Sequence, residues 1–309
     1  MLAKYLLICL LAEAFAVGFA AWHWAAGQPS LALFVWIGLL LIAWLAGGLA
    51  VTLATYIIAR FSVPRSSAIA WPTLGTLLAE ALAATLLFVV LQPFARWLVP
   101  PLTRSRSHGR RTRVLFIHGY LCNSGLWWFH RKALHARGFD CMTLDLEPPW
   151  GSIDQFAGQV RRQLETMQSE NPDGAIVLIA HSMGGLVARA ALNGADAHNI
   201  ALVTLGSPHR GTVLAHWGLG QCARQMRPGG PWLNALDQAG RSQVPLVSLW
   251  SEHDNFMAPA DTPLITGCRN VALRGLGHLS LALSVDVQQH LIDEAEAADK
   301  ALPFSSPRV

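Results

Sequence analysis

Charge is scarce in this chain. Charged residues make up 14% of its 309 residues and apolar residues 52%, whereas a soluble domain carries about 25% charged. A chain wholly surrounded by water is therefore excluded, and the deficit sits in roughly the first hundred residues. The formal net charge is only +4, and no Lys/Arg run is interleaved with aromatics, so no nucleic-acid partner is expected. The five cysteines, Cys9, Cys122, Cys141, Cys222 and Cys268, form no CxxC and no Cys/His metal spacing, so no metal and no cofactor is expected. The last four have the option of pairing in an oxidising compartment. The simpler reading is buried free thiols. Internal repeats and low-complexity tracts are missing too.

What the N-terminal third does have is long apolar runs. Residues 5–26 are interrupted only by Glu13 and His23, residues 31–59 carry no charge at all, and residues 74–99 carry Glu80 and end near Pro93 and Arg96. Each exceeds the roughly 20 residues that cross a bilayer core as a helix. Trp22, Trp24, Trp71 and Trp97 lie near the run ends, where interfacial aromatics belong. The first run is too long for a signal-peptide core and two more follow, so an uncleaved anchor is expected. These runs predict a multi-pass membrane protein, expected in a bacterial inner membrane. Orientation stays open. Arg60 and Arg65 favour a cytoplasmic second loop, and three crossings then put the remainder outside. The cluster Arg96, Arg104, Arg106, Arg110, Arg111 and Arg113 favours the cytoplasm, as a basic collar against anionic lipid does. The conflict disappears if the third run lies in the interface. Glu13 and Glu80, at membrane depth, are either functional or simply bonded to a neighbouring helix.

After residue 112 the texture changes. Short β-branched runs at 113–117, 139–144, 175–180, 200–205, 245–250 and 270–273 alternate with amphipathic stretches at 126–137, 153–169, 183–192 and 285–298. This alternation predicts an α/β fold with a mostly parallel sheet covered by helices on both faces. The expected organisation is a transmembrane helical region (1–100, about three helices), a basic linker (101–111), a catalytic domain (112–299) and a tail (300–309). A fragment starting near residue 108 is expected to be soluble on its own core.

The chemical signal is the stretch from Ile176 to Gly185, in which an apolar strand ends at His181-Ser182 and Met183-Gly184-Gly185 opens a helix. It resembles the nucleophile elbow of α/β-hydrolases, with Ala180 in place of the usual first glycine. Small residues flank such a serine because the turn is tight, and the following helix directs N–H groups toward developing negative charge. Ser182 is the expected nucleophile. The resemblance implies oxyanion-hole N–H groups from an early strand-to-helix loop and from the residue after the nucleophile. Here these are Tyr120, after Phe116-Ile117-His118-Gly119, and Met183. His118 itself reads better as holding the loop. The implied order after the serine is acid, then histidine. Asp254 follows a late strand, with Glu252 and Asp261 as weaker rivals. His278 follows the last strand, and His290 reads as a surface residue inside the final helix.

Over roughly residues 112–297 the chain is similar to bacterial lipases. Ala180 to Gly185, Val203-Thr204-Leu205-Gly206 and Gly277-His278-Leu279-Ser280-Leu281 resemble the small lidless Bacillus type. The stretch Gly206 to Thr212 resembles the larger Pseudomonas type. Those larger enzymes carry a calcium-binding Asp where this chain has Ser280, so a matching calcium site is not expected. The resemblance implies a carboxylic ester hydrolase working through an acyl-enzyme, with a lipid or other acyl ester as substrate. The substrate-binding residues stay unassigned. Residues 213–243 read either as a short cap over an acyl pocket or as a helical excursion packed on the sheet. An acyltransferase using the same triad stays open, an amidase or peptidase is less favoured, and a transport or partner-binding protein with a degenerate hydrolase predicts a broken triad.

Overall fold

The computed structural model describes residues 1–25, 28–100, 112–195, 197, 199–239 and 244–301. The linker 101–111, with Arg104, Arg106, Arg110 and Arg111, lies outside the described residues, as do 26–27, 240–243 and the tail from 302. The chain opens with α1 (Leu2–Trp24) and α2 (Pro29–Phe61). The two run antiparallel: Trp36 Nε1 donates to the Ala14 carbonyl (2.8 Å) and Trp44 Nε1 to Glu13 Oε2 (3.1 Å). Next comes α3 (Leu74–Thr85), capped by Thr73 Oγ1, which accepts from the Thr76 N–H at 3.1 Å. It continues as a π-helical turn, Leu86–Leu91, toward the short α4 (Ala95–Leu98).

All three long segments are long and apolar enough to cross a membrane. They differ in surroundings. Only 6% of the most apolar window of α1, and of α2, is buried within the protein, against 39% for Leu74–Leu91. The third segment therefore lies against the remainder of the molecule. Its two ends are bonded to that same body. Before it, the Ala70 N–H donates to the Glu252 carbonyl at 2.8 Å. After it, the Asn123 N–H donates to Gln92 Oε1 at 2.9 Å.

Six strands follow: β1 (Arg113–Ile117), β2 (Asp140–Leu144), β3 (Ile176–His181), β4 (Ile200–Leu205), β5 (Leu246–Ser251) and β6 (Arg269–Leu273). They form one sheet, ordered β2-β1-β3-β4-β5-β6 and parallel throughout. The order reverses between β1 and β3, and the crevice at the carboxyl ends of such strands is where α/β sheets bind ligands. β3 is buried along its whole length, which is why its sequence is a continuous apolar run.

Alternate side chains along the strands feed two cores. Leu115, Ile117, Leu178 and Ala180 pack with α6 (Ile153–Glu170) and α7 (Met183–Leu192), and with α8 (Gly220–Gln225) and α9 (Pro231–Gln238). α6 starts at a capping box between Ser152 and Gln155 and buries Ile153, Phe156, Ala157, Val160, Leu164 and Met167, one stripe of a 3.6-residue period. On the other face, Val114, Phe116, Val177 and Ile179 pack with α5 (Trp128–Ala136) and α10 (Val285–Ala301). Ala83, Ala84, Leu87 and Leu91 of the third apolar run belong to this same core. Full burial of Leu87 alone contributes about 1.5–3 kcal/mol. The boundary at residue 112 is thus not a boundary of the hydrophobic core, and a fragment from residue 108 lacks part of the core that the sequence assigned to it.

Candidate active site

Ser182 sits at the carboxyl end of β3, immediately before α7, with φ 54° and ψ −125°. A side-chain-bearing residue at positive φ costs on the order of 1–3 kcal/mol and marks a site the surrounding fold over-determines. The turn is closed by glycine: a Cβ on Gly184 would lie 2.6 Å from the Ile117 carbonyl oxygen and 2.7 Å from that of His118. Met183 is the first residue of α7, so its N–H is among the helix N-terminal donors without an intrahelical acceptor. Its side chain is buried in the α6/α7 core.

The structure brings the predicted acid and histidine together. Asp254 Oδ2 lies 2.9 Å from His278 Nδ1, and both residues are buried. The second Asp254 oxygen accepts the Phe256 N–H at 3.0 Å. A carboxylate on Nδ1 holds the proton there and leaves the Nε2 lone pair free to accept one. The Phe256 ring stacks on the His278 imidazole at 4.7 Å. Ser182, His278, Gly119 and Tyr120 all line one cavity. The rivals go elsewhere: Asp261 pairs with Arg210 at 2.8 Å, and Glu252 is exposed. His290 lies half-buried on α10.

His118 is structural. Its Nε2 accepts the Leu146 N–H at 2.9 Å, so its Nδ1–H donates to the Gly119 carbonyl, also at 2.9 Å. Burial pushes its pKa below the ordinary histidine value. His181 was visible in the motif without a role. Its Nε2–H donates to the His278 carbonyl at 3.0 Å, and burial holds its pKa well below the ordinary value, which keeps the ring neutral. Tyr120 ties its loop to the segment after β4: its hydroxyl donates to the Leu219 carbonyl (2.8 Å) and accepts the Leu219 N–H (2.9 Å). That segment takes both expected forms. Leu214, Trp217 and Met226 line the cavity, while Leu233 and Leu236 pack on the sheet.

The apolar helices supply a second layer of support. Asn255 Oδ1 accepts the His278 N–H (3.0 Å) while its Nδ2 donates to Thr55 Oγ1 of α2 (2.7 Å). The Tyr56 hydroxyl donates to the His253 carbonyl at 2.7 Å. Glu80, buried on α3, accepts the Leu279 N–H on one carboxyl oxygen and the Ser280 N–H on the other, each at 2.8 Å. Gly277 is what admits it, since a Cβ there would lie 2.5 Å from the Glu80 carboxyl carbon. The one sequence signal for Glu80 was a carboxyl group inside an apolar run. Glu13 is bonded to Trp44 instead. Among the described residues no cluster of side chains could hold a metal ion. All five cysteines are free thiols, and burial pushes that of Cys122 up to about 12.

Comparison with known proteins agrees with this geometry. The family model of a PGAP1-like alpha/beta domain matches residues 153–268. Triacylglycerol lipase 2 of Saccharomyces cerevisiae is 31% identical over 98 residues, covering 29% of this chain and 30% of the lipase. The GPI inositol-deacylase of Candida albicans is 29% identical over 140 residues, 43% of this chain and 31% of the deacylase. The matches thus span about a third of the length of these curated relatives. Among solved structures, a mature Bacillus licheniformis lipase superimposes with a TM-score of 0.53 at 16% identity, covering 62% of this chain and 96% of the lipase. Lipase B of Aspergillus fumigatus gives 0.54 at 13% identity, covering 64% and 55%. With its parallel sheet and its strained serine turn, the chain has the α/β-hydrolase fold, and the proteins it is similar to are lipases and related hydrolases.

Proposed function

We propose that this chain is a membrane-anchored serine hydrolase that cleaves carboxylic esters of lipids. The observation that carries the reading is the buried Asp254–His278 pair, 2.9 Å apart, at the cavity onto which Ser182 opens. Ser182 Oγ attacks the ester carbonyl carbon as His278 Nε2 takes its proton, and Asp254 stabilises the resulting imidazolium. The Tyr120 and Met183 N–H groups hold the oxyanion. Collapse breaks the acyl–oxygen bond, and the alcohol leaves with the proton from His278. Water, deprotonated by His278, then attacks the acyl-enzyme and returns Ser182. The two named relatives, a triacylglycerol lipase and a GPI inositol-deacylase, both remove acyl groups from lipids by name, which supports a lipid ester. A fluorophosphonate probe is expected to label the full-length protein. Ser182→Ala is expected to abolish labelling and to lower kcat on the order of 10⁶-fold. Undiminished labelling of the variant would refute the assignment.

In the bilayer, α1 and α2 form a hairpin that crosses twice, and the third run packs between α2 and the catalytic domain without crossing. Both hairpin ends meet that domain: the Tyr5 ring packs against Trp150 at 5.7 Å, and Tyr56 bonds His253. Because the two ends of the third run bond the same body, that run does not separate the hydrolase from the N-terminus. Lys4, Arg60, Arg65 and Arg96 then share one side, while the tip at residues 25–30 carries no Lys or Arg. Positive residues stay in the cytoplasm, so the hydrolase faces the cytoplasm. A membrane-impermeant maleimide applied to intact cells is expected to label Gln28→Cys at the tip. Labelling confined to permeabilised cells would refute this topology.

A further inference from the structure

The cavity at Ser182 does not end in the catalytic domain. It has a volume of about 630 Å³ and continues between the apolar helices, lined there by Leu10 and Glu13 of α1, Gly47 and Val51 of α2, and Phe88 of the third run. Its α2 wall runs from Ala43 to Ile58, about 22 Å at 1.5 Å per residue. The volume falls in the range of roughly 300–1,000 Å³ typical of ligand sites. The Glu13 carboxyl on its lining accepts from Trp44 Nε1–H and so is already partnered. The outward faces of the same helices beside the cavity are apolar, with Leu11 61% and Ile42 65% exposed, which sets this part of the cavity at bilayer depth.

Two adjacent glycines on α2 do different things. A Cβ on Gly48 would lie 2.7 Å from the Ala81 carbonyl oxygen, so Gly48 lets α2 and α3 approach. A Cβ on Gly47 would meet nothing within 4 Å. Gly47 lines the cavity, and its missing side chain keeps the far part open.

Resting on the serine-hydrolase reading above, we propose that the space between α1, α2 and the third run is the acyl-chain site. Its ligand is a long-chain acyl ester of the kind that resides in a bilayer. The ester carbonyl sits at Ser182 and the chain extends past Gly47 into the helical layer. The apolar helices are on this reading part of the substrate site and not only an anchor.

The test compares kcat/KM for p-nitrophenyl acetate and dodecanoate, below their micelle concentrations, in wild type, Gly47→Phe and Gly38→Phe. Gly38 also has open space around it but lies outside the cavity lining. Gly47→Phe is expected to lower dodecanoate hydrolysis about 15- to 60-fold, as lost burial of roughly two to three methylenes implies, and to leave acetate hydrolysis within about twofold. Gly38→Phe is expected to change neither. Equal effects on both esters, or none, would overturn the acyl-chain site and leave the hydrolase reading standing. Wild-type protein that hydrolyses no ester would overturn both. A second measurement needs no variant, because Cys9 of α1 also lines the cavity. A dodecyl phosphonate bound at Ser182 is expected to protect Cys9 from N-ethylmaleimide, read by mass spectrometry, while an ethyl phosphonate is not. Equal protection by the two would overturn the proposal.

Discussion

Glu80 offers a sharp test of how the helices support the chemistry. Its two carboxyl oxygens accept the N–H groups of the two residues that follow His278, and no other acceptor is recorded for either N–H among the described residues. Glu80→Ala strands both donors in a buried setting. Each stranded group costs about 1–3 kcal/mol, so the native loop position loses roughly 2–6 kcal/mol relative to any position that regains partners. The loop is therefore expected to shift, carrying His278 with it, and a misplacement of about 1 Å costs on the order of 100-fold in rate. kcat for a short ester is expected to fall by about that factor with KM little changed, because the ester still binds. Glu80→Gln keeps one acceptor and turns an NH₂ toward the second N–H, so it is expected to fall between wild type and Ala. The assay is steady-state hydrolysis of p-nitrophenyl acetate in detergent, with tryptophan fluorescence reporting the folded fraction. Glu13→Gln is the control, since Glu13 bonds Trp44 and not the histidine loop. A Glu80→Ala protein with kcat within about twofold of wild type would refute the reasoning, as would a loss that only mirrors unfolding.

Two further outcomes follow from the packing. A fragment starting at residue 108 loses Ala83, Ala84, Leu87 and Leu91 from the core under β1 and β3, and is expected to aggregate or to unfold well below the full-length protein in a thermal melt. A stable, monomeric, active fragment would contradict the shared core. Stability is also expected to fall with acid. His118, His130, His181 and His209 are all buried with pKa values pushed below the ordinary one by desolvation, His130 to about 4. Below pH ~6.5 the unfolded chain takes up protons that the folded chain refuses, so stability is full above that pH and is lost as pH falls toward 4. His130 alone accounts for about 3 kcal/mol of this. A melting temperature that is flat between pH 7 and 5 would argue against it.

The strands were legible because each is a short β-branched run between turn residues. All six lie within a residue or so of the expected bounds, and the 175–180 run appears as Ile176–His181. The strand–turn–helix placement of Ser182 was legible because strand, small residues and helix start are contiguous. Asp254 and His278 were proposed from their places after late strands, and the structure puts them 2.9 Å apart. Glu80 was not legible as a support for His278, because its partners lie 199 and 200 residues away and no local period links them. Asn255 was hidden for the same reason: its bridge to Thr55 joins two elements 200 residues apart. The cavity could not be read either, since its walls come from three helices, the Tyr120 loop and the segment after β4. A hydropathy profile scores α1, α2 and the third run alike and does not see which of them has the sheet for a neighbour.

That distinction changes what the N-terminal region is for. A simple tether would touch the catalytic domain at one end and leave its loops alone. Here the loop bearing Asp254 is bonded to Thr55 and Tyr56 of α2, and the loop bearing His278 is bonded to Glu80 of α3. These bonds sit among apolar helices, where water is a poor substitute for a lost partner. The backbone N–H groups of Leu279 and Ser280 thus have little alternative to Glu80, and the imidazole of His278 stays where Asp254 Oδ2 meets its Nδ1. The same helices wall the cavity that ends at Ser182. On the proposed reading, positioning of the histidine and access of an apolar chain depend on one set of contacts, so a change in how α2 and α3 pack, at Gly48 for instance, is expected to act on rate and on chain-length preference together.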